Sequence, residues 1–218
     1  PGFLAAIREV TARLGIPLIF DEVVTGFRFA YGGAQEYYGV TPDLCTLGKI
    51  IGGGFPLAAV AGRADMMKHF DRAAVGEDGF LMQVGTLSGN PVAAAAGLAT
   101  LGVLREPGAY DGVFATGRSL MDGLTRLIAE AGIPAQVVGD AVMFDVVYAA
   151  GDIRDYRAIA RQDTAMQKHV NGVLRARGIL KGESKYYLST AHTAEDVAQT
   201  LDAFRAAMAS LPATRRVA

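Results

Sequence analysis

The sequence predicts an α/β protein, and three features of the first hundred residues support this fold class. A segment with helical spacing is followed by an unbroken apolar run, residues 16–20, which is typical of a buried parallel strand. This run ends in Asp21 and Glu22. A second apolar segment, residues 44–47, ends just before Lys49. Charged side chains therefore follow two candidate strands.

Residues 1–107 are predicted to form the first domain. Apolar residues at helical spacing, followed by a glycine, predict a helix that ends at Leu14. Asn90 and Pro91 are typical of a helix start, and the alanine-rich stretch behind them predicts a helix to about residue 104. The other elements predicted here are a loop over residues 26–38, strands at 44–47 and 57–60, and a helix at 64–69.

A domain boundary is predicted at Glu106-Pro107-Gly108, so that residues 108–218 form a second, small α+β domain. Thr193 and Asp196 match a variant of the capping box and predict the start of a last helix. The other elements predicted here are helices over residues 110–131 and 153–177 and strands at 135–138, 142–148, 179–180 and 186–189.

The composition excludes several function classes. The 218 residues carry 21 basic and 22 acidic side chains, and this balance does not favour nucleic-acid binding. One cysteine excludes a disulfide framework and fits a reducing compartment, so we expect a cytoplasmic location. The three histidines lack metal-ligand spacing, and no apolar run is long enough to span a membrane. We expect no metal, nucleic acid or membrane partner.

Two common catalytic motifs are also excluded. The segment before Lys49 has Asp43 where a phosphate loop requires glycine, and Ile50 where that loop requires serine or threonine. Ser88 lacks the outer glycines of a nucleophile elbow.

Asp21 and Lys49 remain as the candidate pair. If their strands are parallel neighbours, both side chains lie at one edge of the sheet, where open α/β folds bind ligands. Such a pair can serve pyridoxal phosphate, because the amine forms a Schiff base and the acid keeps the pyridine nitrogen protonated. The residues alone leave a second interpretation open, in which Asp21 is a cap and Lys49 is a solvated loop charge.

Four segments resemble the class III (ω-type) aminotransferases, and within them the glutamate-1-semialdehyde aminomutase branch. The segments occur in the family's order and are distributed along nearly the whole length of the chain. They are residues 20–28 (FDEVVTGFR), 42–54 (PDLCTLGKIIGGG), 85–91 (GTLSGNP) and 191–193 (AHT).

The resemblance implies a pyridoxal-phosphate enzyme of fold type I. In this chain Lys49 corresponds to the Schiff-base lysine and Asp21 to the partner of the pyridine nitrogen. Val23 corresponds to the aliphatic residue on one face of the ring. Thr86 corresponds to the residue that reaches the cofactor phosphate of the neighbouring subunit, so the resemblance also implies a homodimer. The residues alone leave an alternative for each of the last two roles. Val23 is then an ordinary core residue, and Thr86 only shapes the turn before Asn90.

Several further polar residues have open roles. Arg28 either binds a substrate carboxylate or pairs with Glu22 or Glu36, and we favour the pair. We expect Arg63 to be structural. Three tyrosines either line the entrance of the candidate site or are ordinary half-buried packing residues. They are Tyr31, Tyr37 and Tyr38.

Two departures from the family qualify these expectations. Family members are much longer, so residues 1–107 correspond to the C-terminal part of the large cofactor domain, and the chain alone is expected to form an incomplete site. The segment 178–191 is shorter than the one that carries a gating glutamate in the mutase branch, with Glu183 as a candidate. We therefore expect transamination between an amino acid or amine and a keto acid or aldehyde. The alternatives are the mutase reaction and a non-catalytic fragment.

Overall fold

The computed structural model describes residues 2–211 of the chain. They fall into two compact units, which meet between Ala109 and Tyr110 in the sequence. Within the described residues, no helix is both long enough and apolar enough to cross a membrane.

The first unit contains one short sheet and five helices among its described residues. Two 3-10 turns, Lys49–Gly52 and Lys68–Phe70, connect some of these elements. The strands are β1 (Ile19–Glu22), β2 (Leu44–Leu47) and β3 (Ala59–Gly62), and the helices are α1 (Phe3–Leu14), α2 (Gly33–Tyr38), α3 (Ala64–Met67), α4 (Arg72–Gly79) and α5 (Pro91–Arg105).

The first two strands are parallel neighbours, which is the condition under which Asp21 and Lys49 share a sheet edge. β1 pairs with β2 in parallel, with Asp21 opposite Thr46, and β2 pairs with β3 in the antiparallel sense. The apolar run before Asp21 is not buried as predicted, because Ile16 is 50% exposed and Ile19 is 57% exposed. The reason is the position of β1, which lies at the edge of the three-stranded sheet that the described residues form.

The buried carboxylate of Asp43 stabilises the N-terminal ends of β1 and β2. It accepts hydrogen bonds from the backbone N–H of Leu18, the guanidinium of Arg8 and the guanidinium of Arg63, at 2.8, 2.8 and 2.9 Å. These donors hold the pKa of Asp43 well below its usual range. Arg63 also pairs with Asp65, so its predicted structural role is confirmed.

Helix limits in this unit were predicted well where a strong cap is present. The Asn90 side chain accepts from the backbone N–H groups of Val92 and Ala93, as expected for the cap of α5. The predicted loop at 26–38 was partly wrong, because it contains α2. Helix α4 was not predicted, and its apolar residues lack a clear helical period.

The second unit is an antiparallel sheet with helices. Its strands are β4 (Gln136–Asp140), β5 (Met143–Val147) and β6 (Tyr186–Tyr187), in the order β4-β5-β6. Its helices are α6 (Ala109–Ala131), α7 (Tyr156–Ile159), α8 (Thr164–Ala176) and α9 (Ala194–Ala209). Fully buried side chains from four of these elements form its core, among them Leu124, Phe144, Val170 and Phe204.

Caps explain where the prediction for this unit succeeded and failed. The capping box of Thr193 and Asp196 is present at α9. The single helix predicted over residues 153–177 is instead α7 and α8, because Asp155 and Asp163 each cap a separate helix start. The strand predicted at 179–180 is absent.

Glycine is required where α6 approaches the turn between β4 and β5. A Cβ atom on Gly117 would lie only 1.8 Å from the carbonyl oxygen of Ala141. Any larger residue would push the helix away from the sheet and open the core.

Candidate active site

The carboxyl ends of β1 and β2 bring the two candidate residues to one edge of the sheet. Asp21 pairs with Thr46 in the parallel ladder, and Lys49 follows Thr46 by three residues. Both side chains are exposed. The structure therefore brings Asp21 and Lys49 to one sheet edge, as expected if the two strands are parallel neighbours.

The backbone of Lys49 is in the left-handed region, with φ of 51°. A side chain with a Cβ atom rarely adopts this conformation, and the cost is of order 1–3 kcal/mol. Glycines flank the turn, since Gly48 precedes it and Gly53 ends it with φ of 55°. The fold thus holds a lysine in a strained conformation that glycine would adopt freely, which is common at functional sites.

Asp21 has one engaged and one available carboxylate oxygen. Its Oδ1 accepts from the backbone N–H of Val23 at 3.0 Å and from the hydroxyl of Thr46 at 3.4 Å. No hydrogen bond among residues 2–211 ends on its Oδ2. This oxygen can therefore accept a hydrogen bond from a ligand above the sheet edge.

Val23 packs closely against the glycine that precedes Lys49. A Cβ atom on Gly48 would lie 3.2 Å from Cγ1 of Val23, which is tighter than usual for such contacts. Val23 is half-buried, so part of its side chain is available to a ligand. The structure thus brings Val23, Asp21 and Lys49 into one region.

Glu22 points to the opposite face of the sheet and is 1% exposed. Its carboxylate accepts from the Thr25 hydroxyl at 2.8 Å, from the backbone N–H groups of Ala34 and Gln35 at 2.7 and 2.9 Å, and from the Gln35 side chain at 3.3 Å. A Cβ atom on Gly33 would lie 2.5 Å from this carboxylate. Glu22 therefore fixes the chain between β1 and α2.

Helix α5 lies against the turn that carries Lys49. A Cβ atom on Gly97 would lie 2.8 Å from the carbonyl oxygen of Ile51, so the helix and the turn approach closely. Thr86 lies in the turn before this helix and is exposed. No hydrogen bond or ion pair within the described residues joins Thr86 to Asp21 or Lys49, so its phosphate role stays a prediction.

The tyrosines of the first unit lie in aromatic contacts. The OH of Tyr31 accepts a hydrogen bond from Arg105 at 2.7 Å, and that guanidinium lies 5.1 Å from the ring centre. Phe29 packs against Tyr37 and Tyr38, which are half-exposed. Their position at an entrance stays a prediction, as does the pairing of Arg28.

In the second unit, the segment after α8 is held to that helix. The backbone carbonyl of Glu183 accepts from Gln167 at 3.1 Å, from Asn171 at 2.9 Å and from Lys181 at 3.4 Å. The Lys181 ammonium also lies 4.9 Å from the ring centre of Tyr186. Partial burial lowers the pKa of Lys181, so this lysine is not simply a solvated charge.

Comparison with known proteins decides the family. The sequence pattern described as Aminotransferase class-III matches residues 1–208. This chain belongs to the class III aminotransferase family. The resemblance seen in the four sequence segments is thereby confirmed.

Within the family, the chain is similar both to proteins named aminomutase and to proteins named transaminase. It is 42% identical to glutamate-1-semialdehyde 2,1-aminomutase of Desulfosudis oleivorans over 97% of the chain and 49% of that protein. A solved omega-transaminase from Sphaerobacter thermophilus has a TM-score of 0.85 and 36% identity, over 96% of the chain and 48% of that protein. The chain spans about half the length of the curated relatives it matches.

Other solved members confirm the fold class. A β-phenylalanine aminotransferase from Variovorax paradoxus has a TM-score of 0.83 and 31% identity, over 94% of the chain and 46% of that protein. The fold is therefore the α/β architecture of fold type I, over the part of the family that this chain spans.

Sequence reasoning missed two residues of this site. Thr46 was not singled out, because its place opposite Asp21 depends on strand register. Glu22 was noted only as the second acid of a pair and as a possible partner of Arg28, and its role as an anchor of the loop was not predicted. Strict alternation along β1 was the available signal, since it places Glu22 on the face opposite to Asp21.

We expect Glu22→Gln to destabilise the protein by about 2 kcal/mol, because an amide would direct an N–H group toward donors that now bind a buried carboxylate. Chemical denaturation should show this loss, and hydrogen exchange at the Ala34 and Gln35 amides should accelerate. Glu9→Gln, on the exposed face of α1, is the matched control and should change neither quantity. Unchanged exchange at both amides in Glu22→Gln would contradict the anchoring role.

Proposed function

We propose that this chain carries the lysine and the aspartate of a pyridoxal-phosphate-dependent aminotransferase. The observation that carries the proposal is the common sheet edge at which Asp21 and Lys49 are both exposed. Membership of the class III family and similarity to proteins named transaminase support it. The substrates proposed are an amino acid or amine as donor and a keto acid or aldehyde as acceptor.

The residues present fit this cofactor. Oδ2 of Asp21, which accepts no hydrogen bond from the described residues, is a suitable acceptor for a protonated ring nitrogen, and the exposed amine of Lys49 is a suitable partner for an aldehyde. The half-buried side chain of Val23 offers an apolar surface for the ring. When bound, pyridoxal phosphate supplies an aldehyde that takes up amino groups and a ring that withdraws electrons from the substrate.

The chain's own groups then have distinct tasks. With the cofactor bound, Asp21 would hold a proton on the ring nitrogen, because its negative charge favours the protonated form. Lys49 would bind the cofactor through its amine. The same amine would move the proton of the substrate α-carbon, as a general base and acid.

Thr86 is proposed to bind the cofactor phosphate of a second copy of the subunit. A hydroxyl is a good phosphate donor, and Thr86 is exposed in the turn before α5. That helix also exposes apolar side chains, since Val92, Leu98 and Val103 are 58%, 73% and 56% exposed. Exposed apolar side chains are common at subunit interfaces, and a two-fold homodimer is the commonest arrangement.

Transamination is proposed as the net reaction. A mutase must retain its intermediate with a gate that changes position during the reaction. The backbone of Glu183 is instead held by three donors, two of them on α8. The mutase reaction is the second candidate, favoured by the 42% identity to a protein of that name. A cytoplasmic location also stays a prediction.

Lys49 is expected to be the lysine that carries the cofactor. Borohydride treatment of the holoenzyme, followed by peptide mapping, should find the cofactor on the peptide that contains Lys49. Lys49→Ala should abolish the label, whereas Lys68→Ala, an exposed lysine of the same unit, should leave it in place. A label on Lys68 or Lys181 would overturn the assignment.

Mixed dimers test the role of Thr86. Thr86→Ala and Lys49→Ala subunits should each form weakly active or inactive homodimers when the cofactor concentration is limiting. A heterodimer should contain one site with both defects and one with neither, so it should recover about half of the wild-type activity per dimer. Lack of recovery in purified heterodimers would show that Thr86 does not act across the interface.

Separate half-reactions test the net reaction. In a transaminase, the donor amine alone should convert the cofactor stoichiometrically, and the acceptor alone should restore it, with ping-pong kinetics. Absorbance of the holoenzyme measures both steps. Glu183→Gln should leave each half-reaction unchanged, since the hydrogen bonds of Glu183 within residues 2–211 engage its backbone carbonyl. Efficient isomerisation of glutamate-1-semialdehyde without turnover of any separate donor and acceptor would favour the mutase.

A further inference from the structure

Thr46 lies beside Asp21 on the face of the sheet that carries the proposed cofactor site. The two residues are direct partners in the parallel ladder of β1 and β2, so their side chains project from the same face. The Thr46 hydroxyl donates to Oδ1 of Asp21 at 3.4 Å, and the N–H of Val23 donates to the same oxygen at 3.0 Å. On the other side of Thr46, β3 places the uncharged Val60.

We propose that Thr46 is a positioning residue for Asp21. Its hydroxyl and the Val23 amide engage Oδ1, and this leaves Oδ2 for the cofactor's ring nitrogen. This inference rests on the proposed function, because it assumes that Asp21 faces that nitrogen.

The hydroxyl acts on the orientation of the carboxylate. Two donors on Oδ1 orient the group, so that Oδ2 is already directed away from them when a ligand binds. A carboxylate oriented in this way would hold the proton on the ring nitrogen better than one that is free to rotate.

Solvent exposure decides when this contribution is largest. Asp21 is exposed in the chain as described, so water can replace a lost donor. A ring placed over the sheet edge would exclude that water, and an unreplaced hydrogen bond to a charged group is costly to lose. The effect of Thr46 should therefore be seen in the holoenzyme.

The test compares four variants of the holoenzyme loaded with cofactor whose ring nitrogen is isotope-labelled. Thr46→Val removes the hydroxyl and keeps the β-branched shape that suits a strand. Thr46→Ser restores the hydroxyl, and Asp21→Asn removes the carboxylate charge. Thr41→Val is the matched control, because Thr41 is an exposed threonine that precedes β2. The readouts are the nitrogen NMR shift of the ring, kcat and KM.

Thr46→Val should move the nitrogen resonance toward its unprotonated position and lower kcat about fivefold, with the donor KM nearly unchanged. Thr46→Ser should return both values toward wild type, and Thr41→Val should change neither. Asp21→Asn should move the resonance further than Thr46→Val. A merely structural role of Thr46 would not move the nitrogen resonance.

Two results would overturn the inference, and they are distinguishable. If Asp21→Asn moves the nitrogen resonance and Thr46→Val does not, the role of Thr46 is wrong while the proposed function stands. If neither variant moves it, Asp21 is not the partner of the ring nitrogen, and the residue assignment under the proposed function fails as well.

Discussion

The buried carboxylate of Glu22 is the constraint on which the first unit depends. A carboxylate removed from water is costly unless donors surround it, and here backbone N–H groups, a hydroxyl and an amide do so. These donors come from the loop after β1 and from the start of α2. The hydrogen bonds therefore set where the chain returns after the strand, and no shift of β1 along its axis would preserve them.

Strand alternation links this constraint to the candidate site. Because Glu22 is fixed on one face of the sheet, Asp21 must project from the other face. The parallel register then places Thr46 beside Asp21 and starts the turn of Lys49 at the same edge. A structural acid and a candidate functional acid thus stand next to each other in sequence, and the buried one holds the exposed one in place.

The sequence predicted those parts of the molecule that depend on local chemistry. The limits of β2, the Asn90 cap and the Thr193–Asp196 capping box depend on neighbouring residues, and the structure has all three. The break between α7 and α8 was missed, although Asp155 and Asp163 are both good cap residues, because apolar residues recur on both sides of the polar run 161–164. The partners of Asp43 and the burial of Lys181 depend on contacts distant in sequence, so no local pattern contains them. Motifs identified Asp21 and Lys49 as a pair, whereas Thr46 required the strand register.

The left-handed backbone conformation of Lys49 lowers the stability of the fold. At φ of 51°, glycine would relieve strain, and asparagine would fit better than most side chains. Selection for a stable fold alone would therefore not favour a lysine here, whereas the proposed requirement for its amine would retain it. The position is a local trade-off between stability and activity of the kind that natural proteins tolerate at few sites. Any directed-evolution experiment that selects only for heat resistance would be expected to lose the amine before it loses the fold.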